Sequence, residues 1–369
     1  MKKIIISVSN DLVTDQRVHR VALSLAEFYE VVLLGRKLQE SLPLNKQPYF
    51  TTRMKLLFKG GPLFYAELNM RLFLFLLFNK ANLLLANDLD TLLPNYLISK
   101  IKNIELYYDT HEYFTEVPEL QKRPLVKKIW EIIEAFIFPK LNNVYTVNQS
   151  IANLYHEKYK TNVEVIRNVP IPVIIEPKDR NSLGLPENKK IVIFQGAGIN
   201  VDRGAEEALL SMKFTADDVI LLFIGGGDVF GKLQSMADLN KLSDKVIFIP
   251  KVPVNNLRQY TMHASLGLTL DKDTNLNYRY SLPNKLFDYI HAGVPVLSSK
   301  LIEIEKIIQK YNIGKIVTSH KPEEIGNTIM EMLNSSKYDV WKKNTNIAAH
   351  ELSWEKEKYK LLKIYKLNN

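Results

Sequence analysis

The sequence predicts an α/β protein built from two Rossmann-like domains that face a cleft, each a parallel sheet covered by helices. Short apolar runs of strand length alternate with segments of helical periodicity along nearly the whole chain, which is typical of parallel sheets. The alternation stops at an aperiodic, proline-bearing segment, residues 171–188, and then begins again. Polar or glycine-bearing loops follow many of the strand-like runs, and open α/β sheets bind their ligands at those ends.

Composition is consistent with this class. The chain has 369 residues, enough for two domains, and it is 46% hydrophobic and 24% charged, as globular proteins are. The absence of cysteine excludes disulfides and thiolate metal sites and suits a reducing compartment. The first apolar run, Ile4–Val8, is too short for a signal peptide, so a cytoplasmic location is expected. Attachment to the inner face of the membrane stays open as an alternative.

The net charge of +9 suits phosphorylated ligands and anionic surfaces. No zinc-finger pattern and no basic-aromatic motif of the RNA-binding type is present, so no nucleic-acid partner is expected.

The predicted domain organisation follows from the interruption. Residues 1–170 form the first domain, 171–188 the linker and 189–337 the second domain, while the helices of 338–369 are expected to cross back to the first domain. Strands are predicted at residues 3–8, 31–34, 83–86, 105–108, 144–147, 163–166, 191–195, 219–224, 246–249, 266–270, 294–297 and 315–317.

The segment Asn275–Ser299 organises the second half. Pro283 stands where a helix would begin, and the first helical position suits proline because its missing N–H has no partner there. Gly293 suits a left-handed end to the same helix. Lys285 and the free N–H groups of the first turn would attract a phosphate, and Asp288 can accept a hydrogen bond from a sugar hydroxyl. The alternative is an ordinary capped crossover helix.

The phrase PNKLFDYIHAGVPV, residues 283–296, resembles the donor-binding element of retaining glycosyltransferases of the two-Rossmann (GT-B) architecture, family 4 in particular. The resemblance extends over nearly the whole chain. That family usually has two glutamates separated by seven residues here, and the corresponding positions are Tyr280 and Asp288. The second is a conservative departure, whereas a tyrosine cannot supply a carboxylate.

In the second domain the resemblance implies a nucleotide diphosphate sugar as donor. Arg203, in the loop after a strand, would neutralise the diphosphate together with Lys285, and both are predicted to be catalytic. Arg203 as a solvated surface group is the alternative. The other basic position of the family falls on Ala197, and a GxG loop alone is a weak dinucleotide signal. The implied donor-binding residues are Gly198, Lys251, Val252, Asn284, Leu286 and Asp288.

In the first domain the resemblance makes His111 the third catalytic residue, a contact to the donor sugar across the cleft. A structural or surface histidine is the alternative. Asp15 and Arg17, in a DQR phrase, and Asp88 are placed on the acceptor side. Equally open is a structural role, in which Thr14 or Asp15 caps a helix and Arg17 pairs with it.

No cofactor and no metal ion is expected. Asp271-Lys272-Asp273 has the letters of a DxD metal motif, but we interpret it as a loop because the fold it resembles does not depend on a metal.

A strongly apolar segment, residues 63–80, allows two interpretations. Its longest unbroken apolar run, Leu72–Phe78, is too short to span a bilayer. It is either a buried crossover helix or an interfacial helix, since basic residues surround it and would favour anionic lipid.

The predicted function is transfer of a sugar from a nucleotide diphosphate sugar to a glycan or lipid-linked hydroxyl acceptor, with retention, in cell-surface polysaccharide or glycolipid synthesis. Two alternatives stay open. One is a sugar-nucleotide epimerase of the same architecture. The other is a catalytically silent protein that binds a nucleotide sugar or glycan. Tyr280, which stands where the family usually has a glutamate, keeps this second alternative open.

Overall fold

The computed structural model describes residues 1–13, 15–39, 41, 43, 44, 46–173 and 175–367. The chain divides into two units, each with one parallel sheet. Unit 1 comprises Met1–Asn168 and Trp354–Asn369, and unit 2 comprises Val169–Ser353. The predicted α/β class with two Rossmann-like domains is confirmed.

Unit 1 contains a seven-stranded parallel sheet in the order β3-β2-β1-β4-β5-β6-β7. Its strands are β1 (Lys3–Asp11), β2 (Glu30–Arg36), β3 (Phe50–Met54), β4 (Leu83–Asn87), β5 (Glu105–Thr110), β6 (Asn143–Thr146) and β7 (Glu164–Val165). Its first helices are α1 (Gln16–Leu25), α2 (Gly61–Phe78), α3 (Leu89–Lys102), α4 (Pro118–Gln121), α5 (Pro124–Ile137) and α6 (Gln149–Tyr159).

Unit 2 contains a six-stranded parallel sheet in the order β10-β9-β8-β11-β12-β13. Its strands are β8 (Lys190–Gly196), β9 (Val219–Gly225), β10 (Val246–Pro250), β11 (Leu266–Thr269), β12 (Val296–Ser299) and β13 (Gly314–Val317). Its helices are α7 (Ala205–Ser211), α8 (Phe230–Leu239), α9 (Val254–Met262), α10 (Leu276–Arg279), α11 (Asn284–His291), α12 (Ile302–Tyr311), α13 (Pro322–Leu333) and α14 (Tyr338–Glu351). The last helix, α15 (Trp354–Ile364), belongs to unit 1.

The central strands are apolar on both faces because helices cover both sides of a parallel sheet. All seven residues of β9, VILLFIG, are buried. The predicted strands agree with the observed ones within a few residues, except that β3 lies where no strand is predicted. β3 lies at the edge of its sheet and its side chains are exposed or half-buried, so its residues show no core-facing alternation.

The C-terminal part differs from the predicted organisation. α14 belongs to unit 2, where Trp341 and Ala348 are buried, and only α15 returns to unit 1. There the indole Nε1 of Trp354 donates to Ser24 Oγ at 3.0 Å. Residues 171–188, expected as a linker, also belong to unit 2. Arg180 holds this segment together by donating to the carbonyls of Pro186, Glu187 and Lys189.

Candidate functional site

The strand order in unit 2 reverses between β8 and β11, which lie side by side although they are far apart in sequence. In doubly wound sheets the crevice beyond the carboxyl ends of such a strand pair is where ligands bind. The loops that follow β8 and β11 carry Arg203 and Asp271, and the next loop leads into α11. The topology therefore brings the predicted donor-binding segments to one place.

Glycines allow the loops after β8 and β9 to touch. Gly225 has a φ of 142°, and a Cβ there would lie 1.8 Å from the carbonyl oxygen of Gly196. Ile199 N–H donates to the carbonyl of Gly226 at 2.7 Å. Gly198 lies in this loop and is exposed. Its backbone is therefore open to a ligand.

Arg203 and Lys285 converge on one carboxylate, that of Asp271. Arg203 Nη1 lies 2.9 Å from Asp271 Oδ1, and Lys285 Nζ lies 3.3 Å from Asp271 Oδ2. The Asp271 side chain is fully buried, whereas those of Lys285 and Arg203 are 10% and 26% exposed. Thr269 Oγ1 also donates to Asp271 Oδ2, at 3.2 Å. The two basic residues predicted to bind the diphosphate therefore do lie together.

The electrostatics of this cluster follow from burial and charge. Burial would raise the pKa of Asp271, but Lys285 and Arg203 lower it below its usual value, so the carboxylate is ionised. Burial lowers the pKa of Lys285, although Asp271 opposes the shift. Aromatic rings support both cations: the Arg203 guanidinium lies 4.1 Å from the centre of the Tyr278 ring and Lys285 Nζ 4.5 Å from that of Phe194. Two cations and one anion leave the cluster with a net positive charge.

The first turn of α11 lies beside this cluster. Pro283 is the N-cap, with extended backbone, and not the first helical residue as expected. No side chain caps the helix, so no side-chain oxygen neutralises the positive end of its dipole. Asn284 is exposed, whereas Leu286 is fully buried and its backbone N–H donates to the carbonyl of Pro283 at 3.1 Å. Gly293 has a φ of 73°, which confirms the predicted left-handed end.

Asp288, the second position of the acidic pair, is oriented by a residue that the sequence did not single out. Gln195 Nε2 donates to Asp288 Oδ2 at 3.0 Å, and Gln195 Oε1 accepts from Thr261 Oγ1 at 2.7 Å. Gln195 is buried at the carboxyl end of β8. Its position next to the glycine loop was the only sequence feature that could have pointed to Gln195. A glutamine at this position belongs to no recognised sequence motif.

Lys251 and Val252 follow β10, at the carboxyl edge of the same sheet, and Lys251 is exposed. Tyr280, at the first position of the acidic pair, is the C-cap residue of the short helix α10. The structure therefore places no carboxylate at that position.

In unit 1, His111 lies at the end of β5 between two carboxylates. Its Nδ1 is 3.3 Å from Asp88 Oδ2, and its Nε2 is 3.3 Å from Asp109 Oδ2. Its backbone N–H donates to Asp88 Oδ1 at 2.9 Å. Asp88 has a φ of 58°, a region unfavourable for residues with a side chain, and such strain is common at functional sites.

Burial and the neighbouring charges shift the pKa values of His111 and Asp88. Burial would lower the pKa of His111, but Asp88 and Asp109 raise it to about 9. Burial raises the pKa of Asp88 to about 7, although His111 opposes the shift. At neutral pH the imidazole is therefore protonated, and His111 can donate hydrogen bonds but cannot act as a base.

The predicted acceptor-side residues Asp15 and Arg17 have structural partners. Asp15 caps α1 by accepting from Val18 N–H at 3.1 Å, as the structural alternative expected, while Thr14 lies outside the described residues. Arg17 is 2% exposed and donates to both carboxylate oxygens of Asp109, at 2.9 and 2.7 Å. Its partner is thus Asp109 and not Asp15, and its guanidinium is turned into unit 1.

Asp271 is the site residue that sequence reasoning set aside as part of a loop. Its signal was available, because it follows β11 by two residues and carboxyl ends of parallel strands hold ligands. Within the described part of the chain, no group of three or more His, Cys, Asp or Glu side chains is placed to hold a metal ion.

Residues 175–347 match the family model described as glycosyl transferases group 1. The match covers most of unit 2, including the cluster of Asp271, Arg203 and Lys285, and just under half of the chain. No curated protein matches the sequence.

Solved structures resemble the chain over its whole length. Sucrose-phosphate synthase from Thermosynechococcus elongatus gives a TM-score of 0.78 at 16% identity, covering 99% of this chain and 98% of that one. Anabaena HepE in complex with UDP-glucose gives 0.76 at 12% identity, covering 99% and 100%. WaaG, a glycosyltransferase involved in lipopolysaccharide biosynthesis, gives 0.74 at 13% identity, covering 98% and 99%.

At these identities the similarities establish the fold. The chain therefore has the GT-B fold found in glycosyltransferases. Within that fold class, the family similarity of its second unit is to the glycosyl transferases group 1 model.

Proposed function

We propose that this protein is a retaining glycosyltransferase of family 4 type, which moves a sugar from a nucleotide diphosphate sugar to a hydroxyl of a glycan or lipid-linked acceptor. The observation that carries the proposal is the convergence of Arg203 and Lys285 on Asp271, beside the first turn of α11, which no side chain caps. A net positive cluster at the carboxyl ends of parallel strands suits a diphosphate. UDP and UDP-glucose, which bind to HepE, support a nucleotide sugar as donor.

In the proposed reaction the bond between the anomeric carbon and the diphosphate oxygen breaks, and its electron pair leaves with the phosphate. Arg203, Lys285 and the N–H groups of α11 stabilise the charge that develops there. The acceptor oxygen attacks from the face that the diphosphate leaves, and its proton passes to a departing phosphate oxygen. Because Arg203 and Lys285 neutralise the leaving group, we propose that the reaction needs no metal ion and no cofactor.

Other side chains take binding roles in this proposal. Asp288, held by Gln195, accepts a hydrogen bond from a sugar hydroxyl. The backbone at Lys251 and Val252 contacts the base. Protonated His111 contacts the sugar in this proposal, and one of its two N–H groups exchanges its carboxylate partner for a sugar oxygen. We further propose a cytoplasmic location and a role in cell-surface polysaccharide or glycolipid synthesis.

A second candidate is a catalytically silent nucleotide-sugar-binding protein. The observation that favours it is Tyr280, because one of the two carboxylates of the acidic pair is missing. Such a protein would bind the donor but would neither hydrolyse nor transfer it.

The test compares turnover and donor affinity, over a panel of nucleotide sugars, among four variants. Arg203→Ala and Lys285→Met remove the two charges, and methionine keeps the aliphatic packing of the buried lysine. Each should cost about 2–4 kcal/mol of transition-state stabilisation, as loss of a preorganised charge contact does. Asp288→Ala should weaken binding of the nucleotide sugar more than that of the free nucleoside diphosphate.

The matched control is Lys306→Ala in α12, an exposed lysine of the same unit that pairs with Glu303. It should leave turnover unchanged. If Arg203→Ala and Lys285→Met stay folded and keep normal turnover, the diphosphate binds elsewhere. Tight donor binding by the wild type without any turnover would favour the silent candidate.

A further inference from the structure

Helix α2 buries only one of its sides. Phe64, Leu68, Leu72 and Leu76 form a ridge in the core, at intervals of four residues. The opposite side presents large apolar residues to solvent at spacings of seven and four, which align on one helix face. These exposed residues are Leu63, Met70, Leu74 and Phe78. Among the described residues α2 alone is long and apolar enough to cross a membrane, but its buried ridge fastens it to unit 1.

A carboxylate clamp holds an apolar loop tip beside that side of α2. Glu67 of α2 is itself buried and accepts from the backbone N–H groups of Leu57, at 2.8 Å, and Phe58, at 3.0 Å. Arg71 pairs with Glu67 at 2.7 Å. Leu57 is nevertheless 78% exposed. The loop is thus ordered in a conformation that offers its apolar side chains to solvent, which is unfavourable in water unless something covers them.

Helix α5 has a second exposed stripe. Leu125, Ile129, Ile132 and Phe136 are exposed at spacings of four and three, while Trp130 lies on the buried side. The ring of Trp130 packs against Tyr65 of α2 at 5.1 Å, and Phe136 packs against Tyr96 of α3 at 6.1 Å. The three helices therefore form one layer, to which α3 adds exposed Leu97 and Ile101.

These twelve residues from the loop, α2, α3 and α5 are called the apolar face. The structure has 25 exposed large hydrophobic residues among those it describes, and 12 of them belong to this face, within residues 57–136. A concentration of this kind marks an interaction surface, whereas scattered apolar residues are normal.

The charges around the apolar face are predominantly positive. Between residues 55 and 140 nine basic side chains are exposed, against two exposed acidic ones, Glu105 and Glu119. The basic residues are Lys55, Lys59, Arg71, Lys80, Lys100, Lys122, Arg123, Lys128 and Lys140. A partner that covers this face must therefore be apolar inside and anionic at its surface.

We propose that the apolar face lies on a bilayer that contains anionic lipids. The Leu57–Phe58 tip and the stripes of α2 and α5 enter the boundary between headgroups and acyl chains, and the basic residues contact the headgroups. A second copy of the chain fits less well, because a symmetric contact would bring the positive charges together. The proposal rests on this surface alone, and its outcome is separate from that of the proposed transferase activity.

The test is flotation with vesicles of phosphatidylcholine alone or mixed with phosphatidylglycerol, without any nucleotide. We expect binding to the mixed vesicles that weakens as salt rises. The double variant Leu57→Gln/Phe58→Gln should lower the partition coefficient by about tenfold or more, because it removes two apolar side chains from the lipid. Lys59→Gln and Lys128→Gln should each lower it about fivefold.

Matched controls use residues of equal exposure in unit 2. Leu125 is 82% exposed and Leu239 is 83% exposed, so Leu125→Gln should weaken vesicle binding and Leu239→Gln should not. Lys306→Gln is the corresponding control for charge. Thermal melts confirm that the variants stay folded.

Three outcomes would overturn the proposal. The first is no binding to either vesicle, and the second is equal weakening by Leu125→Gln and Leu239→Gln. The third is self-association of the wild type without lipid, detected by light scattering and abolished by Leu125→Gln, which would make the face an interface between copies.

Discussion

The carboxylate of Asp271 accepts a hydrogen bond from Arg203 at 2.9 Å while it is completely excluded from solvent. Lys285 approaches its other oxygen, so one buried anion holds both cations of the proposed diphosphate site in position. Ser299 Oγ donates to the backbone carbonyl of Asp271 and ties it to β12. The cations are therefore preorganised without a ligand, which lowers the cost of arranging them when a diphosphate binds.

Asp271→Asn should destabilise unit 2 and make its stability depend on an added anion. Breaking a buried ion pair leaves an uncompensated cation, at a typical cost of about 3–5 kcal/mol. A nucleoside diphosphate would replace the missing charge, so the rise in melting temperature with UDP or GDP should exceed that of the wild type. The control is Asp273→Asn in the same loop, whose ion pair with Arg279 is exposed and worth little. Identical melting of the two variants would contradict the role of Asp271.

Gln195→Met should weaken donor binding through Asp288. Without the amide, Asp288 loses an orienting hydrogen bond, so affinity should fall for the nucleotide sugar but not for the free nucleoside diphosphate. Calorimetric titration with both ligands measures the difference. Because the Thr261 hydroxyl can still donate to the carbonyl of Leu257 at 2.9 Å, the change does not leave that donor unsatisfied. A thermal melt confirms that the variant stays folded.

Arg17→Met should lower the stability of unit 1 and leave the KM for the acceptor unchanged. Asp109 would remain buried without its guanidinium partner, which costs about 3–5 kcal/mol. Adding Asp109→Asn should recover part of the loss, because the carboxylate that lost its guanidinium partner is then replaced by a neutral amide. Urea unfolding followed by tryptophan fluorescence gives the stability, since Trp130 and Trp354 lie in unit 1. A stable Arg17→Met protein with a raised acceptor KM would support the acceptor contact that the sequence suggested.

His111 should titrate with a pKa of about 9, and Asp88→Asn should lower that value. Because the folded pKa lies above the usual 6.5, protonation stabilises the folded state fully below pH 6.5. This stabilisation, roughly 3 kcal/mol, is lost as pH rises through about 9. An NMR titration measures this pKa directly. The imidazole resonances of His111 are identified by their absence from the spectrum of the His111→Gln variant. A value at or below 6.5 would exclude the donor role proposed for this histidine.

The sequence by itself determined the parallel-sheet class, nearly every strand and the helix Asn284–His291, because apolar periodicity, proline and glycine act locally. It also indicated Arg203, Lys285 and His111, since each follows a strand in a recognisable phrase. It did not indicate Gln195, whose role depends on a side chain nearly a hundred residues away.

Only the tertiary structure decided which of these residues meet and which side of each helix stays uncovered. The reversal of strand order between β8 and β11 brings Arg203 and Asp271 together, and no local pattern encodes that neighbourhood. Likewise, the apolar composition of α2 is evident from its letters. Which side of α2 is buried and which is exposed depends on how the helix packs against the rest of unit 1. Burial is set by the residues that surround a side chain and not by that side chain alone.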